Sequence, residues 1–488
     1  MLKRVVILVH RWLGVALCLF FLLWFPSGIG MMYWDFPGVG AADRLDRSPS
    51  LDPTTIHVSP AEAFAVTGQR QPPSQVRLTT FDGRPVYRFR AGRGDTLVYA
   101  DTAAIQAAAV PNELAARVAS AWVGQPAAGA IAETLDDVDQ WTVQGSLRAL
   151  RPLRRYSWAN GEQVYVSVAS GDVVQYTTTR SRIGAYLGPI PHWVYFTPLR
   201  KHQSAWTRLI IWSSGIGAAT AVLGIVIGIW VYSPSKRYRL DGGRARIPYR
   251  GQKRWHAVLG LVFGIGAVTW AFSGMLSMDP FPAADPRPRV DIAQALRGRL
   301  QLADFAARDP RDALQQLPGL SVKELELMTV AGEPVYLAAL GRGETRIVPV
   351  AGPPRGEFDR QRIVGSIDKA SQPNGLAEVR VLDRYDAYYL DRRRQRPLPV
   401  ILARVNDAER TRYYIDPRTA RVAGSYSSRH WTTRWLYHGL HSLDFPWLYD
   451  HRPLWDIVVI SFMLGGTALC VTSLILAWRV IGSYLPRR

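Results

Sequence analysis

The sequence HRWLG at residues 10–14 returns as HAVLG at residues 256–260, and each copy stands at the start of a long apolar run. A second match, at an offset of 249 positions, joins FDGRPVYRFRAGRGDT (residues 81–96) to VAGEPVYLAALGRGET (residues 330–345). Self-similarity over such a distance is the sequence signature of a repeated architecture. We therefore predict that the chain is an internal tandem duplication.

Four apolar runs without charged residues interrupt this 488-residue chain, at residues 12–34, 209–232, 257–278 and 457–478. As helices, segments of this length cross the hydrocarbon core of a bilayer, which is about 30 Å thick. Because Lys3 and Arg4 precede the first run, it could instead be a cleaved signal peptide. Its match to the third run favours a retained helix, and so the sequence predicts four transmembrane helices.

The basic residues predict the orientation of these helices. Residues 233–254 carry eight Lys or Arg against one Asp. The chain ends add further positive charges, which are Lys3, Arg4, Arg479, Arg487 and Arg488. Short positively charged segments face the cytoplasm, so both termini are expected there and both long loops outside. A net charge of +20 that is divided by a lipid bilayer does not indicate nucleic-acid binding.

The predicted fold class is a membrane protein with a four-transmembrane-helix bundle and two periplasmic α+β domains. The predicted segments are transmembrane helix 1 (1–34), periplasmic domain 1 (35–205), transmembrane helix 2 (206–232), a basic cytoplasmic loop (233–254), transmembrane helix 3 (255–278), periplasmic domain 2 (279–450), transmembrane helix 4 (451–480) and a cytoplasmic tail (481–488). Each long loop shows helical stretches followed by alternating strands with glycine turns. The segment that connects the third span to the second exterior domain is expected to be extended, because it contains Pro280, Pro282, Pro286 and Pro288.

Both cysteines, Cys18 and Cys470, lie within apolar runs. The exterior loops therefore have no thiol for a disulfide, and the chain cannot build a zinc or iron–sulfur site from cysteine. Histidine is the remaining candidate ligand.

Duplicated histidines lie near both predicted membrane faces. His10 and His256 begin the first and third runs. Six others are expected outside, and these are His192, His202, His430, His438, His441 and His451. Ionisable side chains at membrane depth are costly, so they indicate function or a paired partner, although single interfacial histidines also bond to backbone or headgroups. An iron porphyrin held by two imidazoles would explain the symmetry, and two levels of histidine indicate two hemes.

Glycines and arginines beside these histidines fit a heme but have ordinary explanations too. Gly14 and Gly260 lie one helical turn after their histidines, where a missing side chain leaves room for a porphyrin edge or for close helix packing. Several arginines could pair with heme propionates or anchor the membrane interface, namely Arg11 and Arg254 inside and Arg200, Arg208, Arg434 and Arg452 outside.

These motifs resemble a known family. The HRWLG start, the Leu440-His441 element before an apolar run, the KRWHAVLG entry at residues 253–260 and the flanking α+β repeats are similar to PepSY-associated transmembrane proteins, including inner-membrane ferrisiderophore reductases. The resemblance covers nearly the whole chain. It implies a four-helix bundle with periplasmic PepSY domains and b-type hemes near opposite membrane faces. The chain departs from the family in having Ser442 and Leu443 where a glycine is usual.

The resemblance implies that His10, His256 and His441 are heme-iron ligands, and His192 follows as the internal copy of His441. We therefore assign His10 and His256 to an inner heme b and His192 and His441 to an outer one. The alternative outer ligands are His202 with His451, which are equally well duplicated, and His438, one helical turn before His441.

The predicted function is that of a heme-dependent transmembrane oxidoreductase, which would pass electrons to a periplasmic ferric chelate such as a ferrisiderophore. The short interior segments cannot fold into a flavin or nicotinamide domain, so the electron donor is a separate quinol or cytoplasmic reductase. The alternative is a heme-free PepSY scaffold that binds or regulates an envelope protein or peptidase.

The second long loop contains a run of arginines, which are Arg392, Arg393, Arg394 and Arg396. This run fits either a solvated surface or a surface that attracts an anionic chelate or lipid headgroups. No residue is assigned a catalytic role.

Overall fold

The computed structural model describes residues 1–92, 94–107, 109–240, 243–281 and 291–484. Two sequence predictions fall outside these residues. They are the extended backbone at Pro282, Pro286 and Pro288, and the placement of Arg487 and Arg488 in a cytoplasmic tail.

Four long helices form the apolar part of the molecule. They are span 1 (Leu2–Tyr33), span 2 (Gln203–Val231), span 3 (Gly251–Leu276) and span 4 (Leu454–Tyr484). The most apolar windows of these helices have mean hydropathies of 1.8 to 2.3, and each helix is long enough to cross a membrane.

The spans form an antiparallel bundle in which span 1 packs along spans 2 and 4, and span 3 packs along the same two helices. Spans 1 and 3 therefore face each other across the bundle axis. Close approach depends on glycine: a side chain at Gly466 would collide with the ring of Phe25, and one at Gly465 with the ring of Phe263. Small residues at such contacts are typical of membrane helices.

The bundle has two distinguishable ends. We call the end that carries the short hairpin between spans 2 and 3 the inner end, and the end that carries the large sheets the outer end. Shorter helices accompany the sheets and the entrances to the spans. They are the α-helices Ala41–Arg47, Pro60–Ala65, Asn112–Val123, Thr179–Leu187, Pro189–Trp193, Thr197–Arg200, Ile292–Leu296, Pro310–Gln315, Arg360–Ala370, Leu440–Ser442 and Pro446–Tyr449, the 3-10 helices Pro53–Thr55, Ala127–Gly129, Gly145–Leu150, Leu302–Phe305 and Ser428–His430, and the π-helix Thr432–Gly439.

Sixteen strands build four sheets in the described residues. They are β1 (Gln75–Phe81), β2 (Arg84–Ala91), β3 (Gly94–Tyr99), β4 (Ala130–Leu135), β5 (Leu153–Trp158), β6 (Gln163–Ser167), β7 (Val173–Thr177), β8 (Tyr238–Leu240), β9 (Gly243–Ala245), β10 (Glu324–Val330), β11 (Glu333–Gly341), β12 (Glu344–Pro349), β13 (Leu376–Leu382), β14 (Val400–Val405), β15 (Arg412–Asp416) and β16 (Arg421–Tyr426). Each half of the chain has one four-stranded antiparallel sheet, β4-β5-β6-β7 or β13-β14-β15-β16, and β8 with β9 forms the hairpin at the inner end.

The other strands of the two halves join in one sheet, with the order β12-β11-β10-β1-β2-β3. Its centre is the antiparallel pair of β1 with β10, in which Val76 lies opposite Leu327. One apolar core contains buried residues of both halves, including Tyr87 and Tyr336. This differs from the expectation of two separate α+β units. Pairing β1 with β10 satisfies two strand edges that would otherwise be exposed.

Positions 249 residues apart adopt the same backbone conformation. The hairpin turns after β1 and β10 place Asp82 and Ala331 at φ values of 51° and 49°. Val194 and Leu443, just after the outer histidines His192 and His441, have φ values of 53° and 50°. The internal similarity of the sequence is therefore matched by local structure at its turns.

Candidate cofactor site: paired histidines at both ends of the bundle

The inner histidines, His10 of span 1 and His256 of span 3, face each other with ring centres 6.2 Å apart and ring planes inclined by 45°. The Nδ1–H of His10 donates to the backbone carbonyl of Thr220 at 3.0 Å. The Nδ1 of His256 lies 3.3 Å from the hydroxyls of Thr472 and Ser473. Each ring is thus oriented by the second helix of its own half and meets the ring from the other half.

The outer histidines, His192 and His441, lie on short helices after the sheets, and their ring centres are 6.0 Å apart. The Nδ1 of His192 is 3.1 Å from the carbonyl oxygen of Trp24 and 3.2 Å from the hydroxyl of Ser27. The Nδ1 of His441 is 2.9 Å from the hydroxyl of Ser273. Ser27 and Ser273 occupy matching positions on spans 1 and 3, so the two halves orient their outer rings in the same way.

Burial favours the neutral form of both outer rings. Desolvation lowers the pKa of His192 to about 4. Desolvation, together with the nearby His192 ring, lowers the pKa of His441 to about 3. Both imidazoles are therefore neutral near pH 7, and a neutral imidazole is the form that binds a metal. Since Nδ1 is engaged in hydrogen bonds, Nε2 is the nitrogen left for a ligand.

The distances between the ring centres, 6.2 Å in the inner pair and 6.0 Å in the outer pair, match those of two imidazoles that share one metal. Two metal–imidazole bonds of about 2 Å each, added to the distance from each bonded nitrogen to the centre of its ring, give a separation of about 6 Å between the ring centres. A hydrogen bond from the other ring nitrogen to a carbonyl or hydroxyl is the usual support of a metal-binding histidine.

A bare metal ion fits less well than a metallated macrocycle. The described residues contain no group of three or more His, Cys, Asp or Glu that could hold a metal ion. Two imidazoles leave the remaining positions around a metal unfilled, and the four nitrogens of a porphyrin fill four positions in one plane. Either histidine pair could therefore hold a heme, with its two imidazoles as the protein ligands of the iron.

Glycines provide space beside the inner pair. No atom lies within 4 Å of a Cβ placed on Gly14, and Leu469 Cδ1, at 3.9 Å, is the nearest contact for one on Gly260. Gly224 of span 2 has a different role, because a Cβ there would lie 2.8 Å from Cε1 of His10. The sequence analysis missed Gly224, since its function depends on a contact between helices that has no sequence signature.

The outer histidines line an apolar cavity with a volume of about 1220 Å³ including its mouth. Trp24 and Trp270, which occupy matching positions on spans 1 and 3, form part of its wall. The glycines below the rings also match: a Cβ on Gly28 would lie 3.5 Å from Cε1 of His192, and one on Gly274 would lie 3.6 Å from Cε1 of His441.

The alternative outer ligands do not line this cavity. His202, His438 and His451 are exposed side chains. His451 Nδ1 contacts the carbonyl of Trp447 in the preceding turn, and the His438 ring packs on Tyr437. The structure brings together His192 and His441.

The arginines proposed for propionates have varied surroundings. Arg11, Arg208 and Arg254 are exposed. Arg200 stacks on Tyr195 and Trp206, Arg434 donates to the carbonyls of Ala387 and Asp444, and Arg452 pairs with Asp456. The arginine that lines the outer cavity is Arg392, which also donates to the carbonyl of Met31 at 3.0 Å. Its run of basic residues was visible in the sequence, but its contact with span 1 was not.

Comparison with known families places this arrangement in context. The family model for the PepSY-associated TM region matches residues 7–315. The chain belongs to this family. The predicted family is therefore confirmed, and together with the four apolar helices it makes this PepSY-associated protein a multi-pass membrane protein. The match includes His10, His192 and His256 and ends before His441 and span 4. Comparison with curated proteins finds no match.

Proposed function

We propose that this PepSY-associated protein is a di-heme b reductase of the bacterial inner membrane, with both termini in the cytoplasm and the sheets in the periplasm. It would pass electrons from a donor at the inner end to a ferric chelate, such as a ferrisiderophore, at the outer end. The observation that supports this proposal is the presence of two imidazole pairs, with ring centres 6.2 Å and 6.0 Å apart, at opposite ends of one bundle.

In such a reductase the paired histidines would bind the two hemes. His10 and His256 would hold the inner heme, and His192 and His441 the outer one. When bound, heme iron alternates between Fe(III) and Fe(II) and carries one electron. The Nδ1 contacts fix the rings before any cofactor arrives, and Arg392 offers a guanidinium for a heme carboxylate at the outer cavity.

The bundle also fixes the separation of the two levels. His10 and Trp24 lie 14 residues apart on span 1, which corresponds to about 21 Å along a helix. Beside the outer histidines, the ring of Trp270 contacts the rings of Phe25 and Phe462.

Donor and acceptor are separate molecules in this scheme. Among the described residues, the inner end carries the β8–β9 hairpin and the ends of the spans, and we propose that a separate quinol or cytoplasmic reductase supplies the electron. The acceptor is Fe(III) in a chelate, which gains one electron and becomes Fe(II). Because Fe(II) binds hard oxygen ligands more weakly than Fe(III), the chelate then releases its iron.

The direct test is an optical spectrum of the purified full-length protein, oxidised and reduced, with heme quantified per chain. We expect low-spin bands of bis-histidine heme and about two hemes per chain. One heme per chain would contradict the two-site assignment. Colourless protein from heme-replete cells would contradict the reductase and favour the alternative, a heme-free scaffold that binds or regulates an envelope protein or peptidase.

Gly14 offers a test of the inner site that does not disturb protein contacts. No atom lies within 4 Å of a Cβ on Gly14, so Gly14→Leu should fold normally and yet obstruct a porphyrin edge. We expect this variant to bind about one heme per chain. Gly482→Leu is the matched control, because Gly482 also lies in a span with no atom within 4 Å of its Cβ, and it should keep both hemes. Equal heme content in both variants would show that no porphyrin contacts Gly14.

A further inference from the structure

The two halves differ at one pair of equivalent loops near the outer cavity. The loop at residues 136–152 joins β4 to β5, and the loop at residues 383–399 joins β13 to β14. Both contain 17 residues. The first carries three aspartates and two arginines, a net charge of −1, and the second carries three aspartates and five arginines, a net charge of +2. We call residues 383–399 the arginine loop.

The arginine loop is attached to the bundle at several points. Arg392 donates to the carbonyl of Met31, and Arg393 pairs with Asp35, so the loop bridges from the second half to the end of span 1. Arg434 of the π-helix donates to the carbonyl of Ala387. Arg392 lines the outer cavity itself. The loop is therefore held at the mouth of the cavity that contains His192 and His441.

Two neighbouring arginines of this loop, Arg394 and Arg396, remain available to a ligand, and Arg384 near the start of the loop is also exposed. Asp391 accepts the backbone N–H groups of Arg393, Gln395 and Arg396, so its carboxylate stabilises the turn. The side chains of Arg394 and Arg396 are exposed, and no ion pair with an acidic side chain is described for either. Arg396 lies over the ring of Tyr389, which restricts its direction.

We propose that Arg394 and Arg396 form a recruiting site for an anionic ferric chelate at the mouth of the outer cavity. This inference rests on the proposed reductase function and adds to it a selectivity for negatively charged, oxygen-rich complexes. Guanidinium groups bind carboxylate oxygens in bidentate geometry, and a positive potential beside a cavity raises the association rate of anions. Arg392, deeper in the cavity, is separate from this site.

The asymmetry of the halves favours a chelate over lipid headgroups. Both loops follow equivalent strands of equivalent sheets, so a need for contact with an anionic bilayer surface would apply to both. Only the loop that reaches across the cavity mouth has excess positive charge, whereas in the sister loop Asp137 pairs with Lys201 and Asp139 with Arg155. The excess positive charge is therefore located at the cavity mouth and not on both loops, as contact with the bilayer would require.

Binding of redox-inert gallium(III) chelates tests this site without electron transfer. The probes are gallium(III) citrate, which is anionic, and the gallium(III) complex of a neutral cyclic trihydroxamate, with the full-length protein in phosphatidylcholine nanodiscs. For Arg394→Glu/Arg396→Glu we expect binding of gallium(III) citrate to weaken at least about tenfold, with little change for the neutral complex. Wild-type binding of the anionic probe should also weaken with added salt.

Controls separate this proposal from the reductase itself. Arg297→Glu/Arg299→Glu makes the same change in charge at two exposed arginines beside β10 and should leave citrate binding unchanged. Heme content and spectrum report on folding and on the proposed function, and Arg394→Gln/Arg396→Gln provides a milder change with the same expected direction. Unaltered citrate binding in both loop variants would overturn the proposal. A second set of nanodiscs contains the anionic lipid phosphatidylglycerol. If the loop variants altered binding only in those nanodiscs, the arginines would bind lipid headgroups and the proposal would also be overturned.

Discussion

Replacing His256 with alanine is expected to remove the inner heme and leave the outer heme in place. His256 and His10 face each other at the inner end, and each contributes the one ring that its half provides there. Loss of either imidazole leaves an iron with a single protein ligand and a gap where a second should bind. We therefore expect His256→Ala and His10→Ala to have the same phenotype, with about one low-spin heme per chain.

Heme quantification and low-temperature spectra of both variants measure this effect. His57→Ala is the matched control, because His57 is an exposed histidine in the loop before β1 and should not change the heme content. A second control is Gly224→Ala, in which the added methyl would collide with the His10 ring and should weaken the same heme without removing a ligand. Two hemes with unchanged ligation in His10→Ala and His256→Ala would show that the inner assignment is wrong.

The sequence predicted the helices and the turns because these depend on local patterns. Hydropathy identified all four helices, and span 1 begins at Leu2, ten residues before the uncharged apolar run that starts at Trp12. The charged residues before the apolar run continue the helix because their long side chains can extend along it, as Lys3 does over the ring of Trp230. Charges end a hydropathy run, but they do not end a helix.

Contacts between the halves were harder to predict. An edge strand has hydrogen-bonding groups that accept any partner of compatible length, and nothing in the residues of β1 specifies β10 as its neighbour. The reach of Arg392 to the carbonyl of Met31 is also a contact between the halves. Such contacts depend on how two folded units dock, and a repeat pattern does not contain that information.

The histidine pairs could be predicted from the sequence in part. The predicted duplication indicated which histidines correspond, and the structure brings the corresponding rings together. The groups that orient the rings were not predicted. Thr220, Ser27 and Ser273 are ordinary residues in apolar helices, where a hydroxyl or carbonyl has no distinguishing pattern until its partner is known.

His441→Ala is expected to have the largest effect on ferric chelate reduction. In our proposal the outer heme is the last carrier before the acceptor, and His441 is the ring that the second half contributes to it. Loss of a side chain that hydrogen-bonds a metal ligand usually lowers metal affinity or activity by about tenfold to a hundredfold. Loss of the ligand itself should therefore lower the rate of chelate reduction by at least about a hundredfold. The inner heme should remain bound and should still be reduced by the donor.

Reduction of the inner heme and reduction of the chelate must therefore be measured on the same sample. The matched controls are His202→Ala and His451→Ala, the alternative outer pair, whose exposed side chains lie outside the cavity and should leave both rates close to wild type. If these variants lost the outer heme and His441→Ala kept it, the alternative pair would be the ligands. A retained spectrum with a lost rate in His441→Ala would instead give His441 a role at the chelate, because the cavity of about 1220 Å³ adjoins both the ring and the arginine loop.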